Sequence, residues 1–285
     1  MSREEAIRLA YLFAAVLFIL GLKFLSAPRT ARRGNILAAI GMGIAIVATL
    51  LVEGIGSWAW IIGAMAIGTV VGAVSARRVK MTAMPQMVAL FNGVGGGAAA
   101  LISVSEYHVR ANLGIDRLDA KTAVSILFSA IVGSISFAGS LVAFGKLQEL
   151  LPGKPITWPA QKALNALAGA AILVLAVWAA LSVSEPVIWV AAVLALAIGV
   201  AAVLPIGGAD MPVVISLLNS FTGLAAAATG FVLGNSALII AGTLVGASGT
   251  LLTQLMSKAM NRSIANVLFG AFGGGPAAAA AGGAK

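Results

Sequence analysis

A chain of 285 residues that is 60% hydrophobic and only 9% charged, with a mean hydropathy of +1.05, cannot clothe itself as a soluble domain does, since such domains are ~25% charged. The absence of Cys excludes disulfides, thiolate metal sites and Cys nucleophiles, and a single His builds no metal cluster. The net charge of +9 would suit nucleic acid, but in so apolar a chain it belongs to basic loops beside a lipid membrane, and no nucleic-acid partner is expected.

Apolar runs of about 20 residues, the length that crosses a bilayer core, recur along the sequence. The pattern predicts an all-α polytopic bundle of nine spans, at about 6–25, 36–53, 57–76, 85–104, 122–146, 163–182, 186–205, 212–233 and 236–257. The first run lacks a small-residue cleavage site and reads as a span, not a signal peptide. Between spans stand turn formers such as Pro152–Gly153–Lys154–Pro155, Glu185–Pro186 and Gly207–Gly208. Alternate connectors differ in charge. One set, from Lys23 through Arg77, Lys146 and Lys162 to the tail, holds thirteen of the eighteen Lys and Arg residues. The positive-inside bias therefore puts the N-terminus outside and the C-terminus in the cytoplasm. Residues 263–285 form a Gly/Ala-rich tail that reads as a flexible linker, leaving 1–262 as the transmembrane domain.

The spans carry no acidic or basic residue near their centres, although intramembrane charge is the usual mark of an ion path. Their polar residues fall instead on helix faces. On the fourth span Asn92, Gly96 and Ser103 align; on the fifth, Ser125, Ser129, Ser136 and Ser140; on the eighth, Ser216, Asn219, Ser220 and Gly223; on the ninth, Gly242, Gly246, Gly249, Thr250 and Thr253. Small residues let helices approach closely, so packing accounts for Gly242, Gly246 and Gly249, and is the default for the Ser stripes. Asn92 and Asn219 are different, because an amide is costly in hydrocarbon unless it is satisfied. They either pair with neighbours or order water in a polar channel. Asp210, in Gly207–Gly208–Ala209–Asp210–Met211–Pro212, suits a helix N-cap; the alternative is a gate at the mouth of a path lined by Asn219. Gly93–Ala98 matches G-x-G-x-x-A but lies inside a span and follows no strand, so helix packing explains it better than a dinucleotide. His108 reads as a solvated loop residue, and Trp58, Trp60, Trp158 and Trp189 as interfacial anchors.

The segment from Gly207 to Phe231, GGADMPVVISLLNSFTGLAAAATGF, closely resembles the beta-subunit membrane domain of proton-translocating NAD(P) transhydrogenase. So do Val142–Leu147 (VAFGKL), Met81–Pro85 (MTAMP) and Lys258–Ser263 (KAMNRS), in the same order along the chain. The resemblance implies nine membrane helices in a bacterial inner membrane, then a cytoplasmic NADP(H)-binding domain. It also implies an alpha subunit with an NAD(H) domain and further membrane helices, and a dimer of the complete enzyme. Hydride would pass between NAD(H) and NADP(H) while a proton crosses the membrane. This chain alone would bind neither nucleotide and would not be catalytic. Asp210, Asn219, Ser140 and Arg262 match positions that the family associates with the proton path or with coupling to the NADP(H) domain; Ser136 joins the path through its stripe. Asn92 departs, standing where many members hold a His, and a neutral amide cannot take up and release a proton. The titrating group is therefore expected on the partner membrane subunit, as a His facing Asn92. No strand–Gly-turn–helix pattern follows the ninth span, so the chain is expected to be either an engineered membrane fragment, the favoured alternative, or a naturally split subunit. A self-contained secondary transporter and a structural membrane scaffold are the competing functions. The first usually shows inverted repeats and helices broken at mid-membrane, and neither is apparent here.

Overall fold

The computed structural model describes residues 2–115, 117–261 and 263–264. Among them are nine helices long and apolar enough to cross a membrane. They are α1 (Arg3–Leu25), α2 (Ala31–Leu50), α3 (Trp58–Arg78), α4 (Met84–Asn112), α5 (Ala120–Leu147), α6 (Gln161–Ser182), α7 (Glu185–Val203), α8 (Met211–Leu233) and α9 (Ser236–Ala259). The all-helical, nine-span expectation holds, with most ends within a few residues of the sequence reading. Arg262 and most of the expected 263–285 linker lie outside the described residues.

Three local differences have physical causes. α4 runs two turns beyond the expected end. Ser105–Asn112 is too polar to read as a span, yet Tyr107 is fully buried and an i,i+4 Arg110–Glu106 pair at 2.5 Å supports the extra turns. His108 therefore sits on a helix and not in a loop, with Nδ1 2.7 Å from Glu185. Asp210 is not an extended N-cap: it closes a 3-10 turn, Gly208–Asp210, that runs directly into α8, its N–H donating to Gly207 O at 3.0 Å. At the N-terminus of α1, by contrast, Ser2 and Glu5 form a complete capping box.

The chain divides into two compact units. The first comprises residues 1–84 and 234–241. In it α1 and α2 pack as a hairpin through small residues: a Cβ on Gly34 would stand 2.7 Å from Gly21 O. Tyr11, Thr49 and Asn235 join in a polar knot, Tyr11 Oη lying 3.0 Å from Thr49 Oγ1 and Asn235 Nδ2 donating to both. α3 buries none of its residues.

The second unit comprises residues 85–233 and the described residues from 242 onward. At its centre is α5, whose buried residues include Ser125, Ser129, Gly133, Ser136 and Ser140 on the predicted stripe. It packs on α7 and α8, and Gly93 and Gly96 of α4 meet it at near-backbone distance. α6 lies on α7 and touches α5 much less. One apolar core joins Val142, Ile206, Met211 and Leu218 at one end; another joins Tyr107, Ile126, Val187 and Ile188 at the other. The α5–α6 and α7–α8 connectors are tied together by Gly208 N–H donating to Gly153 O at 2.9 Å and Ile156 N–H to Leu204 O at 3.1 Å.

Candidate functional site

Glycines decide which polar groups meet. A Cβ on Gly133 would lie 2.6 Å from Gly96 O, and one on Gly96 would lie 3.0 Å from Gly133 O. The two helices touch backbone to backbone there, as small residues permit in a membrane. That register sets Asn92 opposite Ser136 and Ser140. Asn92 Nδ2 donates to Ser140 Oγ at 2.9 Å and, more weakly, to Ser136 Oγ at 3.4 Å. Ser136 Oγ donates to Leu218 O at 2.8 Å and lies 2.6 Å from Thr222 Oγ1 on α8. Two turns along, Ser129 Oγ lies 2.7 Å from Thr229 Oγ1, and Ser103 Oγ lies 3.5 Å from the same hydroxyl. A ladder of side-chain hydroxyls with one amide thus runs between α4, α5 and α8, and Ser103, Ser129, Ser136, Ser140 and Thr229 are all essentially inaccessible.

One atom of the ladder is left over. Asn92 is 8% exposed, and its Oδ1 is buried without a donor. An unsatisfied buried acceptor costs about 1–3 kcal/mol, so this carbonyl favours any donor that reaches it, a water or a protonated side chain.

A second polar seam joins α8 to α9. Ser220 Oγ donates to Gly246 O at 2.6 Å and Ser216 Oγ to Gly249 O at 3.2 Å, while Thr253 Oγ1 lies 3.1 Å from Ser216 Oγ. The predicted packing glycines close it: a Cβ on Gly242 would lie 2.5 Å from Ala227 N, and one on Gly249 3.0 Å from the Ser220 backbone. Asn219 is in neither seam. It is half-buried and its side chain, among the described residues, makes no hydrogen bond, although Ser216 and Thr222 stand three residues to either side of it on the helix. The structure thus brings together Asn92, Ser136 and Ser140, and does not join Asn219 to them.

Three contributors fall on no predicted stripe. Thr222 and Thr229 fall off the face of α8 that carries Ser216 and Ser220, and only the position of α5 reveals them. Lys146, which counts as a connector cation in the sequence, is 3% exposed. Its ammonium donates to the carbonyls of Leu204, Ile206 (2.7 Å) and Lys154 (3.3 Å). It fills the carbonyl end of α7 with positive charge, where the helix dipole is negative, and braces the connector that carries Asp210.

The Gly93–Ala98 run cannot cradle a nucleotide. It lies within α4, its N–H groups committed to the helix and Gly96 pressed on Gly133, whereas phosphate binding needs free N–H groups at a helix start.

Over residues 7–285 the chain matches the family model for the NAD(P) transhydrogenase beta subunit. Two curated relatives, both the NAD(P) transhydrogenase subunit beta of Rhodospirillum rubrum, one from a named strain, are each 49% identical over 278 residues. The match takes in 96% of this chain but 60% of each relative, so the chain spans somewhat over half their length. With nine membrane-length apolar helices among the described residues and a family match along almost its whole length, the chain belongs to the NAD(P) transhydrogenase beta subunit family.

Proposed function

We propose that this chain is the proton-conducting membrane domain of a transhydrogenase, coupling proton movement to hydride transfer between NAD(H) and NADP(H) held by other domains. The carrying observation is the buried hydroxyl ladder anchored on Asn92, whose Oδ1 has no donor. Hydroxyls both donate and accept, so a ladder of them can orient water or pass a proton along without holding charge in hydrocarbon. None of its members titrates near neutral pH. The group that takes up and releases the proton therefore comes from outside the ladder, from a His on a membrane helix of an alpha subunit, and the buried Asn92 carbonyl is the acceptor prepared on this side.

Within the same proposal the N-terminus lies outside and the C-terminus in the cytoplasm of a bacterial inner membrane. Residues 263–285 lead to an NADP(H)-binding domain, and the complete enzyme is a dimer. Asp210 and Arg262 sense that domain at the cytoplasmic face; the 3-10 turn held by Lys146 and Gly153 fixes where Asp210 starts. Because the turn that ends at Asp210 runs straight into α8, which carries Thr222 and Thr229 of the ladder, a shift of the connector reaches the ladder through one rigid element.

The test is proton pumping by the full-length beta subunit with its alpha partner in liposomes, read with a pH-sensitive dye while hydride transfer is followed optically. Asn92→Leu and Asn219→Leu are each expected to abolish coupled pumping in assembled, correctly folded enzyme. Full pumping in either variant would remove that residue from the path.

A further inference from the structure

We propose that the groove between α5, α6 and α7 is a binding site for one anionic phospholipid, its phosphate held by Lys162 and Asn165 and one acyl chain laid along α6. The site shares no residue with the hydroxyl ladder and does not depend on proton conduction.

A cavity of about 600 Å³ runs along α6 in the second unit. Its α6 wall includes Lys162, Asn165, Gly169 and Leu173, at i, i+3, i+7 and i+11, which is one helix face. The opposite wall includes Ile135 of α5 and Ile198 of α7. Polarity is graded along it: a cation in the first turn, an amide one turn further, then hydrocarbon alone. From Lys162 to Leu173 the axial length is about 16 Å by helix rise, close to the ~15 Å half-thickness of a bilayer's hydrocarbon core.

The groove exists because of how the three helices are spaced. α7 presses on α5 where Gly199 meets the Ile135 backbone, a Cβ at Gly199 having no room. α6 is seated on α7 and stands off α5. Gly169 is a glycine of the other kind, since a Cβ there would meet nothing within 4 Å. It serves no close approach of helices; its lack of a side chain keeps the slot open.

Two polar groups set the occupant. Asn165 Nδ2 is buried without an acceptor, a donor that an anionic oxygen would satisfy. Lys162 is exposed, forms no ion pair among the described residues, and stands at the positive end of the α6 dipole. No carboxylate lines the groove. Hydrocarbon below, a free amide donor and an ammonium at the mouth together match a phosphate headgroup with its chain.

The experiment is native mass spectrometry of the full-length protein in mild detergent, titrated separately with phosphatidylglycerol and phosphatidylcholine of equal chain length. One phosphatidylglycerol per chain is expected, preferred about fivefold over phosphatidylcholine, the contribution of one cation at the membrane surface. Lys162→Gln should bring the two lipids to parity. Gly169→Leu, which fills the slot, should remove both while helicity by circular dichroism is unchanged. In the unmodified protein, a photoactivatable phosphatidylglycerol should label peptides of α6 within residues 162–173. Equal binding of the two lipids by the unaltered protein, or an undiminished anionic preference in Lys162→Gln, overturns the proposal. So does photolabelling confined to other helices, or cross-linking of residue 169 to a partner subunit in place of lipid.

Discussion

Replacing Gly242 by Ala should cost this chain about 2 kcal/mol, although the change adds one methyl group to a residue in an apolar helix. A Cβ at position 242 would fall 2.5 Å from Ala227 N and 2.6 Å from Gly223 O, both backbone atoms that no rotamer change can move. Ordinary contact begins near 3.4 Å, so α8 and α9 must part locally by about 0.9 Å. Overpacking of this kind costs about 1–3 kcal/mol. The separation also stretches the Ser220–Gly246 bond from 2.6 Å and breaks the Ser216–Gly249 bond at 3.2 Å; interhelical bonds in membranes average ~0.6 kcal/mol each. Better helix propensity of Ala returns about 0.8 kcal/mol. The assay is reversible unfolding in mixed micelles of increasing SDS content, read by helicity. Gly43→Ala and Gly63→Ala are the controls, because a Cβ at either would meet nothing within 4 Å, and both should be neutral or slightly stabilising. If Gly242→Ala behaves like the controls, the α8–α9 contact is not the backbone-to-backbone seam described above.

Lys146→Met keeps the hydrophobic stem but strands the carbonyls of Leu204, Ile206 and Lys154; it should destabilise the fold by about 2–4 kcal/mol in the same assay, since bonds to charged groups are worth about 1.5–3 kcal/mol each. Tyr107→Phe removes a buried hydroxyl that donates to Ala179 O at 2.8 Å and should cost about 1 kcal/mol, with its effect on hydrogen exchange concentrated at the α6–α7 turn. Asp119 caps α5, and the Thr122 backbone N–H donating to its carboxylate lowers its pKa. A lowered folded-state pKa means a contribution present above the ordinary Asp value near ~4 and lost as pH falls through the folded value. Thermal stability of Asp119→Ala should therefore trail the unaltered protein at neutral pH and converge with it in acid; a gap that persists unchanged at pH ~2 would show that the capping charge is not its source.

The spans were legible because each is a long apolar run closed by Gly, Pro or charge, and a helix is the only local way to satisfy backbone groups in lipid. The end of α4 was not, because Tyr107 is buried by α6 and α7, which no window on α4 can sense. The same limit applies to the polar residues. Asn92, Ser136 and Ser140 could each be picked out as polar groups on a small-residue face. That they touch depends on register between helices, which periodicity within one helix does not contain. Lys146 was misread for a related reason: a cation near a span end ordinarily faces water, and here Leu204 and Ile206 after α7 and Lys154 of the α5–α6 connector supply three carbonyls in its place.

Register in this protein is written in its glycines, and they act in two ways. Gly96 with Gly133, and Gly223 with Gly242, bring backbones so close that the hydroxyls beside them have only one set of partners. That closeness is what lets a ladder of neutral groups form with no charge to organise it. It also makes the ladder easy to perturb, because a sub-ångström displacement of α8 changes which hydroxyls lie within hydrogen-bonding distance on both of its faces. α8 begins directly from the 3-10 turn at Asp210, braced by Lys146, so the connector and the ladder share one rigid lever. A helix that packed through large side chains could absorb such a displacement by rotamer changes. A helix that packs through glycine cannot, and must pass the displacement on.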